Sequence, residues 1–162
     1  MDRPSYLEII ESGELARRAE LARRLLDPCR VCPRGCGARR TAGETGYCRT
    51  GLRARLAHAG PHFGEEPPLT GARGAGAVFL GRCCMACRFC QNSQISQADA
   101  GEEVSAQELG QVFLDLQRQG CHNVDLVSPT HIVPQVLEAV LWAAERGLRL
   151  PAGSTVGAPP PA

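Results

Sequence analysis

Cysteine carries most of the reactive chemistry in this chain. Nine of its 162 residues are Cys, and eight of these fall into two tight groups. The sharper group is Cys83-Cys84-Met85-Ala86-Cys87-Arg88-Phe89-Cys90-Gln91-Asn92. Three thiolates spaced C-x3-C-x2-C can hold three corners of a cubane iron–sulfur cluster and leave one iron without a protein ligand. Such clusters ordinarily take four Cys, so a local set of three reserves the last iron for a substrate or cofactor. Cys84 is then a spare thiol. The alternative is zinc, held by a subset such as Cys84, Cys87 and Cys90, because zinc often takes paired cysteines.

The second group is Cys29-x2-Cys32-x3-Cys36-x11-Cys48. Four cysteines in a stretch with no apolar period suit a tetrahedral zinc site or an auxiliary iron–sulfur cluster. Pro33, Gly35, Gly43 and Gly46 allow the turns such ligation needs. The role expected of this group is structural. The ninth cysteine, Cys121, stands alone before an apolar run and reads as a small buried residue.

Other candidates have plainer readings. Glu65-Glu66 beside Pro67-Pro68 fits a solvated turn better than an acid–base pair. Gly71-Ala72-Arg73-Gly74-Ala75-Gly76 precedes a strand instead of joining a strand to a helix, which excludes a phosphate loop. Trp142 sits among Ala and Leu and reads as packing. All 18 basic residues are Arg, so lysine Schiff-base chemistry is closed off. A net charge of +1 gives no reason to expect a nucleic-acid surface. The halves differ, with 12 Arg against 7 acidic residues over 1–60 and 6 against 10 over 61–162, which fits two solvated faces. No run is apolar and long enough for a membrane span, and the start carries no signal peptide, so the thiols are expected to be reduced and the location cytoplasmic.

The elements that must position these residues follow from periodicity. Ser5 to Asp27 reads as one helix, with Ser12 as a cap before Leu15, Ala19, Ala22 and Leu26. Cys29 to Gly51 reads as loop, Leu52 to Ala59 as a short strand, and Pro61 to Gly76 as loop again. Ala77–Leu80 is a buried strand feeding the cysteine loop over Gly81 to Asn92. Ser105 and Glu108 form a capping box for a helix whose core face is Leu109, Val112, Phe113 and Leu116, closed by Gly120. Val124–Val127 is the next strand. Pro134 lies in the first turn of a helix facing the core through Val133, Leu137, Val140, Leu141 and Ala144. Leu148–Leu150 starts a third strand. The β-α-β-α-(β) order implies parallel strands in an α/β fold. Residues 151–162, rich in Pro, Gly and Ala, read as a disordered tail. The organisation expected is therefore a helical segment over 1–27, a Cys-rich segment over 28–60, an α/β segment with the cluster loop over 61–150, and the tail.

The cluster loop resembles that of the radical S-adenosylmethionine superfamily. Phe89-Cys90-Gln91-Asn92, the upstream Gly60-Pro61-His62-Phe63-Gly64-Glu65-Glu66-Pro67 and the downstream Ser128-Pro129-Thr130-His131 resemble the pyruvate formate-lyase activating enzyme-like branch. The likeness runs from about Tyr6 to Leu150. It implies the first part of a partial (β/α) barrel, with a [4Fe–4S] cluster on Cys83, Cys87 and Cys90. S-Adenosylmethionine would chelate the open iron and be cleaved reductively to a 5′-deoxyadenosyl radical. Phe89 would lie near the adenine, and Thr130 and His131 near the methionine amino group, although the usual Gly-Gly-Glu is missing there. The partners implied are a glycyl radical enzyme as protein substrate and an electron donor such as flavodoxin or ferredoxin.

A complete barrel of this class takes about 250 residues. Only two βα units and the start of a third are legible here, so the chain is expected to be an unfinished barrel. That leaves two further readings open: a truncated remnant that binds a cluster with little turnover, and a non-catalytic zinc module.

Overall fold

The computed structural model describes residues 3–155. The first helical segment is two helices, α1 (Ser5–Glu11) and α2 (Glu14–Arg23), and not the single helix expected. Gly13 lies between them in the left-handed region with φ 72°, a conformation only glycine adopts cheaply. Ser12 therefore caps the end of α1 and makes no side-chain bond to α2. Both helices fold back, and Leu7, Leu15, Ala19 and Ala22 are buried. The Tyr6 hydroxyl reaches across to the Leu150 carbonyl at 2.8 Å. Burial pushes its pKa up to about 12, against a smaller opposing pull from Arg149.

Residues 28–53 make no helix longer than one 3₁₀ turn at Arg40–Ala42, as the lack of an apolar period implies. The sheet then begins. Strand β1 (Ala54–His62) runs antiparallel to β2 (Ala75–Leu80), pairing Leu56 with Leu80 and His62 with Ala75. It extends past the strand expected over Leu52–Ala59, because its neighbour continues to Ala75. The following stretch, read as loop, contains the short helix α3 (Pro67–Thr70). After the cysteine loop come α4 (Ser93–Ser96) and an edge strand β3 (Glu102–Val104) on the far side of β1. Neither was expected, since three or four residues carry no periodic signal.

The capping box is present. Glu108 N–H donates to the Ser105 hydroxyl at 3.1 Å, and Ser105 N–H to the Glu108 carboxylate at 2.7 Å, starting α5 (Ala106–Arg118). Strand β4 (Val124–Val127) lies parallel to β2, as expected, with Gly76 opposite Val124 and Phe79 opposite Val127. A 3₁₀ turn over Pro129–Ile132 leads into α6 (Val133–Ala144), with Pro134 in its first turn.

The C-terminal reading requires correction. Leu148–Leu150 is not strand. Ala152–Thr155, placed in the disordered tail, forms β5, parallel to β4 with Val124 opposite Ala152 and Val127 opposite Thr155. Prolines argue against a strand only where they must donate, and Pro151 stands before β5 with its carbonyl accepting from Val124 N–H at 2.8 Å. The rest of that tail, residues 156–162, lies outside the described residues.

The result is a mixed, open five-stranded sheet in the order β3-β1-β2-β4-β5. Val78, Leu80, Val124 and Leu126 face a core shared with Leu109, Phe113 and Leu116 of α5 and Val136, Ala139, Val140 and Ala143 of α6. A Cβ on Gly110 would come within 2.8 Å of the Ala139 carbonyl, so glycine sets how closely these helices pack. Strand alternation sends Phe79, Asp125 and Val127, all half-buried, to the opposite face.

Candidate functional site

The cysteine loop leaves the C-terminal end of β2, next to the C-terminal end of the parallel strand β4. Each exit carries a non-glycine residue in the left-handed region: Arg82 with φ 58° and Ser128 with φ 57°. Such conformations persist only where surrounding contacts over-determine them. For Arg82 those contacts are clear. Its N–H bonds Ile95 at 3.1 Å, and its guanidinium meets Asp99 at 2.8 Å and Glu103 at 3.3 Å. Gly81 is held by Arg55 through its N–H at 2.8 Å and by His131 through its carbonyl.

Within the loop, Ala86 is also left-handed (φ 49°), and the Met85 N–H points at the Cys83 sulfur, 3.4 Å away. The Cys83 thiol is held down to about 6, first by the Cys84 S–H and then by the Met85 and Ala86 N–H groups and the Arg34 charge, against the burial that opposes them. Cys84 is buried and pushed strongly upward, because it gives its proton to Cys83, is desolvated and touches Cys32. Cys90 accepts from the Ser96 hydroxyl at 3.4 Å, and the Cys87 carbonyl accepts from the Gln97 amide at 2.8 Å. Cys83, Cys87 and Cys90 are all half-buried.

The N-terminal cysteines lie against this loop. Arg34 donates to the Cys84 carbonyl and, at 3.2 Å, to the Met85 carbonyl, while stacking 3.6 Å above Tyr47. Arg49 donates to the Gln97 carbonyl. Between the two segments is a cleft of about 290 Å³ lined by Tyr47, Cys48, Arg49, Cys83, Ala86 and Ser96, with Gln97 at its edge. Cys29 and Cys36 interact electrostatically. Burial raises Cys29. In Cys36, burial is outweighed by the Ala38 and Tyr47 N–H groups, the Cys29 thiol and Arg40, so its pKa falls. Cys48 is buried with the Arg40 guanidinium 3.3 Å from its sulfur. Cys32 turns instead to Cys84.

Cys84 thus interacts with both Cys83 and Cys32, and Cys29 with Cys36. No three Cys, His, Asp or Glu side chains converge closely enough to hold a metal ion among the described residues. The Met85 N–H aimed at the Cys83 sulfur favours thiolate over thiol there, and the wholly buried Arg40 stands beside the Cys48 sulfur.

The remaining candidates are placed as follows. Phe89 is 92% exposed at the loop tip. Thr130 is half-buried on the turn after β4. His131 is fully buried beneath the loop, with Nε2 3.2 Å from the Gly81 carbonyl and Nδ1 without a hydrogen-bond partner among the described residues. Burial, aided by Arg40 and Arg82, pushes its pKa down to about 4. Cys121 is buried, as expected of a packing residue. Arg34, Arg40, Arg49 and Arg82, which join the two cysteine segments to each other and to the sheet, were not singled out from sequence, because arginine spacing there follows no pattern. No described helix is long and apolar enough to cross a membrane. Comparison with family models, curated proteins and solved structures finds no match for this chain.

Proposed function

We propose that this chain is a radical S-adenosylmethionine iron–sulfur protein of the pyruvate formate-lyase activating enzyme type, with Cys83, Cys87 and Cys90 as the ligands of a [4Fe–4S] cluster. One observation carries the reading: a clamped loop bearing three half-exposed thiols leaves the carboxyl end of β2 beside the carboxyl end of parallel β4. Carboxyl strand ends are where α/β sheets build their sites. The open sheet then corresponds to the first strands of a partial barrel. When bound, the cluster and S-adenosylmethionine supply one-electron cleavage of the sulfonium bond and the 5′-deoxyadenosyl radical that takes hydrogen from a substrate.

The chain's own residues hold and orient. The Cys84 S–H, with the Met85 and Ala86 N–H groups, holds the pKa of the Cys83 thiol low, and Ser96 donates to Cys90. His131 fixes the start of the loop through Gly81, and Thr130, half-buried on the same turn, would receive a polar group of the cofactor. Exposed Phe89 is available to stack on the adenine. A glycyl radical enzyme as protein substrate and a flavodoxin- or ferredoxin-like donor complete the proposal.

Anaerobic reconstitution with iron and sulfide tests it. A reducible cluster whose EPR signal changes on adding S-adenosylmethionine, with 5′-deoxyadenosine formed under a strong reductant, supports the enzyme. Stoichiometric zinc at both cysteine groups and no iron uptake supports the zinc module instead.

A further inference from the structure

Residues 28–50 lie against the cysteine loop without joining the core. None of the residues that build the hydrophobic core belongs to this segment, and within it only Cys29, Ala38, Arg40, Cys48 and Thr50 are buried. Among the described residues its main-chain hydrogen bonds stay inside the segment or reach back to Leu25 and Leu26. Its hydrogen bonds to the chain beyond it come from three arginine side chains, and every acceptor is a main-chain carbonyl. Arg34 donates to Cys84 and, at 3.2 Å, to Met85; Arg40 donates to His131 at 2.9 Å; Arg49 donates to Gln97.

Water can take the place of each of those carbonyls, so each bond holds the segment only modestly. Separating α5 from α6 would instead expose apolar surface. The docked state also carries costs that opening removes. Arg40 is 1% exposed and forms no ion pair among the described residues; its Nη2 meets the Cys48 sulfur at 3.3 Å, and its Nε has no hydrogen-bond partner. A guanidinium cannot shed its proton, so this burial is only partly compensated until water reaches it. Arg49 holds a left-handed backbone, φ 58°, which persists only while its contacts do. Few buried apolar contacts and polar docking are the marks of a segment that opens locally.

We propose that residues 28–50 form a strap that docks over the cysteine loop through Arg34, Arg40 and Arg49 and opens as a unit while the α/β core stays folded. Closed, it walls the cleft of about 290 Å³ with Tyr47, Cys48 and Arg49 and lies against Cys84, which is buried. Open, it admits solvent and small molecules to Cys84 and to the side of Cys83 that lines the cleft. The strap thereby gates the loop. The inference concerns the metal-free chain and does not rest on a cluster at Cys83, Cys87 and Cys90.

The test uses the full reduced chain in EDTA and follows N-ethylmaleimide labelling of Cys48, Cys84 and Cys121, which are 4%, 1% and 3% exposed. Tandem mass spectrometry gives each rate, which is divided by the rate of the same cysteine in urea. Cys48 and Cys84 report the strap, and Cys121, part of the core, reports the fold. In the parent chain Cys48 and Cys84 should label many times faster than Cys121 on this scale. Arg34→Gln takes a charged donor from two carbonyls and should speed Cys48 and Cys84 about 10- to 100-fold, with Cys121 unchanged. Arg49→Gln should act in the same direction, and it carries the test if the Arg34 variant does not fold. Equal protection of all three cysteines in the parent would overturn the proposal, because the segment would then open only when the whole chain unfolds. So would a folded Arg34→Gln or Arg49→Gln chain that speeds all three alike or leaves Cys48 and Cys84 at the parent rate.

Discussion

His131 Nε2 lies 3.2 Å from the carbonyl oxygen of Gly81, which joins the turn after β4 to the residue where β2 becomes the cysteine loop. Since a carbonyl only accepts, Nε2 carries the proton, and burial keeps the imidazole neutral. Two parallel strand ends are thereby tied together under the thiols, in a place water does not reach.

That placement makes stability depend on pH. His131 stays neutral in the fold, with its pKa down at about 4, while in the unfolded chain it titrates near 6.5. Its contribution is complete above the unfolded value and is lost as pH falls from about 6.5 toward 4. Between pH 7 and 5 the loss should be about 2 kcal/mol. Urea unfolding of the chain and of His131→Gln at both pH values checks this. The variant should lose distinctly less stability than the parent over that interval.

Iron binding should separate the four loop cysteines. Cys83→Ala, Cys87→Ala and Cys90→Ala should each abolish cluster assembly, since three ligands leave no redundancy. Cys84→Ala should retain it, because that thiol is buried and acts as a donor to Cys83. Iron and sulfide per chain after anaerobic reconstitution is the readout. Equal loss from Cys84→Ala would reassign the first ligand.

Protease sensitivity reports the N-terminal segment. Arg30, Arg34, Arg39 and Arg49 are exposed and lie in backbone without long helix or strand, while Arg40 is buried. If metal holds this segment, its binding energy is folding energy there. Trypsin should then cut at those four arginines much faster after chelation, with α5 left intact. Mass spectrometry of the early fragments decides it, and an unchanged rate counts against a structural metal.

Helix packing should be sensitive at Gly110. Alanine gains helix propensity of about 1 kcal/mol over glycine. Its methyl would sit 2.8 Å from both the Ala139 carbonyl and the Trp142 ring, forcing α5 and α6 apart. Overpacking of this kind costs about 1–3 kcal/mol, so Gly110→Ala should be net destabilising and lower Tm by several degrees. A Tm rise would show that the helices can separate without loss.

Local signals determined a good part of this protein. The Ser105–Glu108 box, the apolar face of α5, Pro134 at the head of α6 and the apolar runs of β2 and β4 all encode short-range preferences, and their elements form where periodicity puts them. The C-x3-C-x2-C spacing and its position after a strand were equally legible, because both are properties of the order of residues. What depends on partners far along the chain was not. β5 forms from Ala, Gly, Ser and Thr because β4 offers it a parallel edge, and β3 forms from two glutamates and a valine because β1 does. Likewise, only the tertiary structure decided that Cys32 meets Cys84, that Arg34 bridges the two cysteine segments, and that Arg40 is buried against Cys48 and His131. Burial and long-range charge pairing are set by the whole fold, and an arginine reads the same in sequence whether it faces water or sulfur.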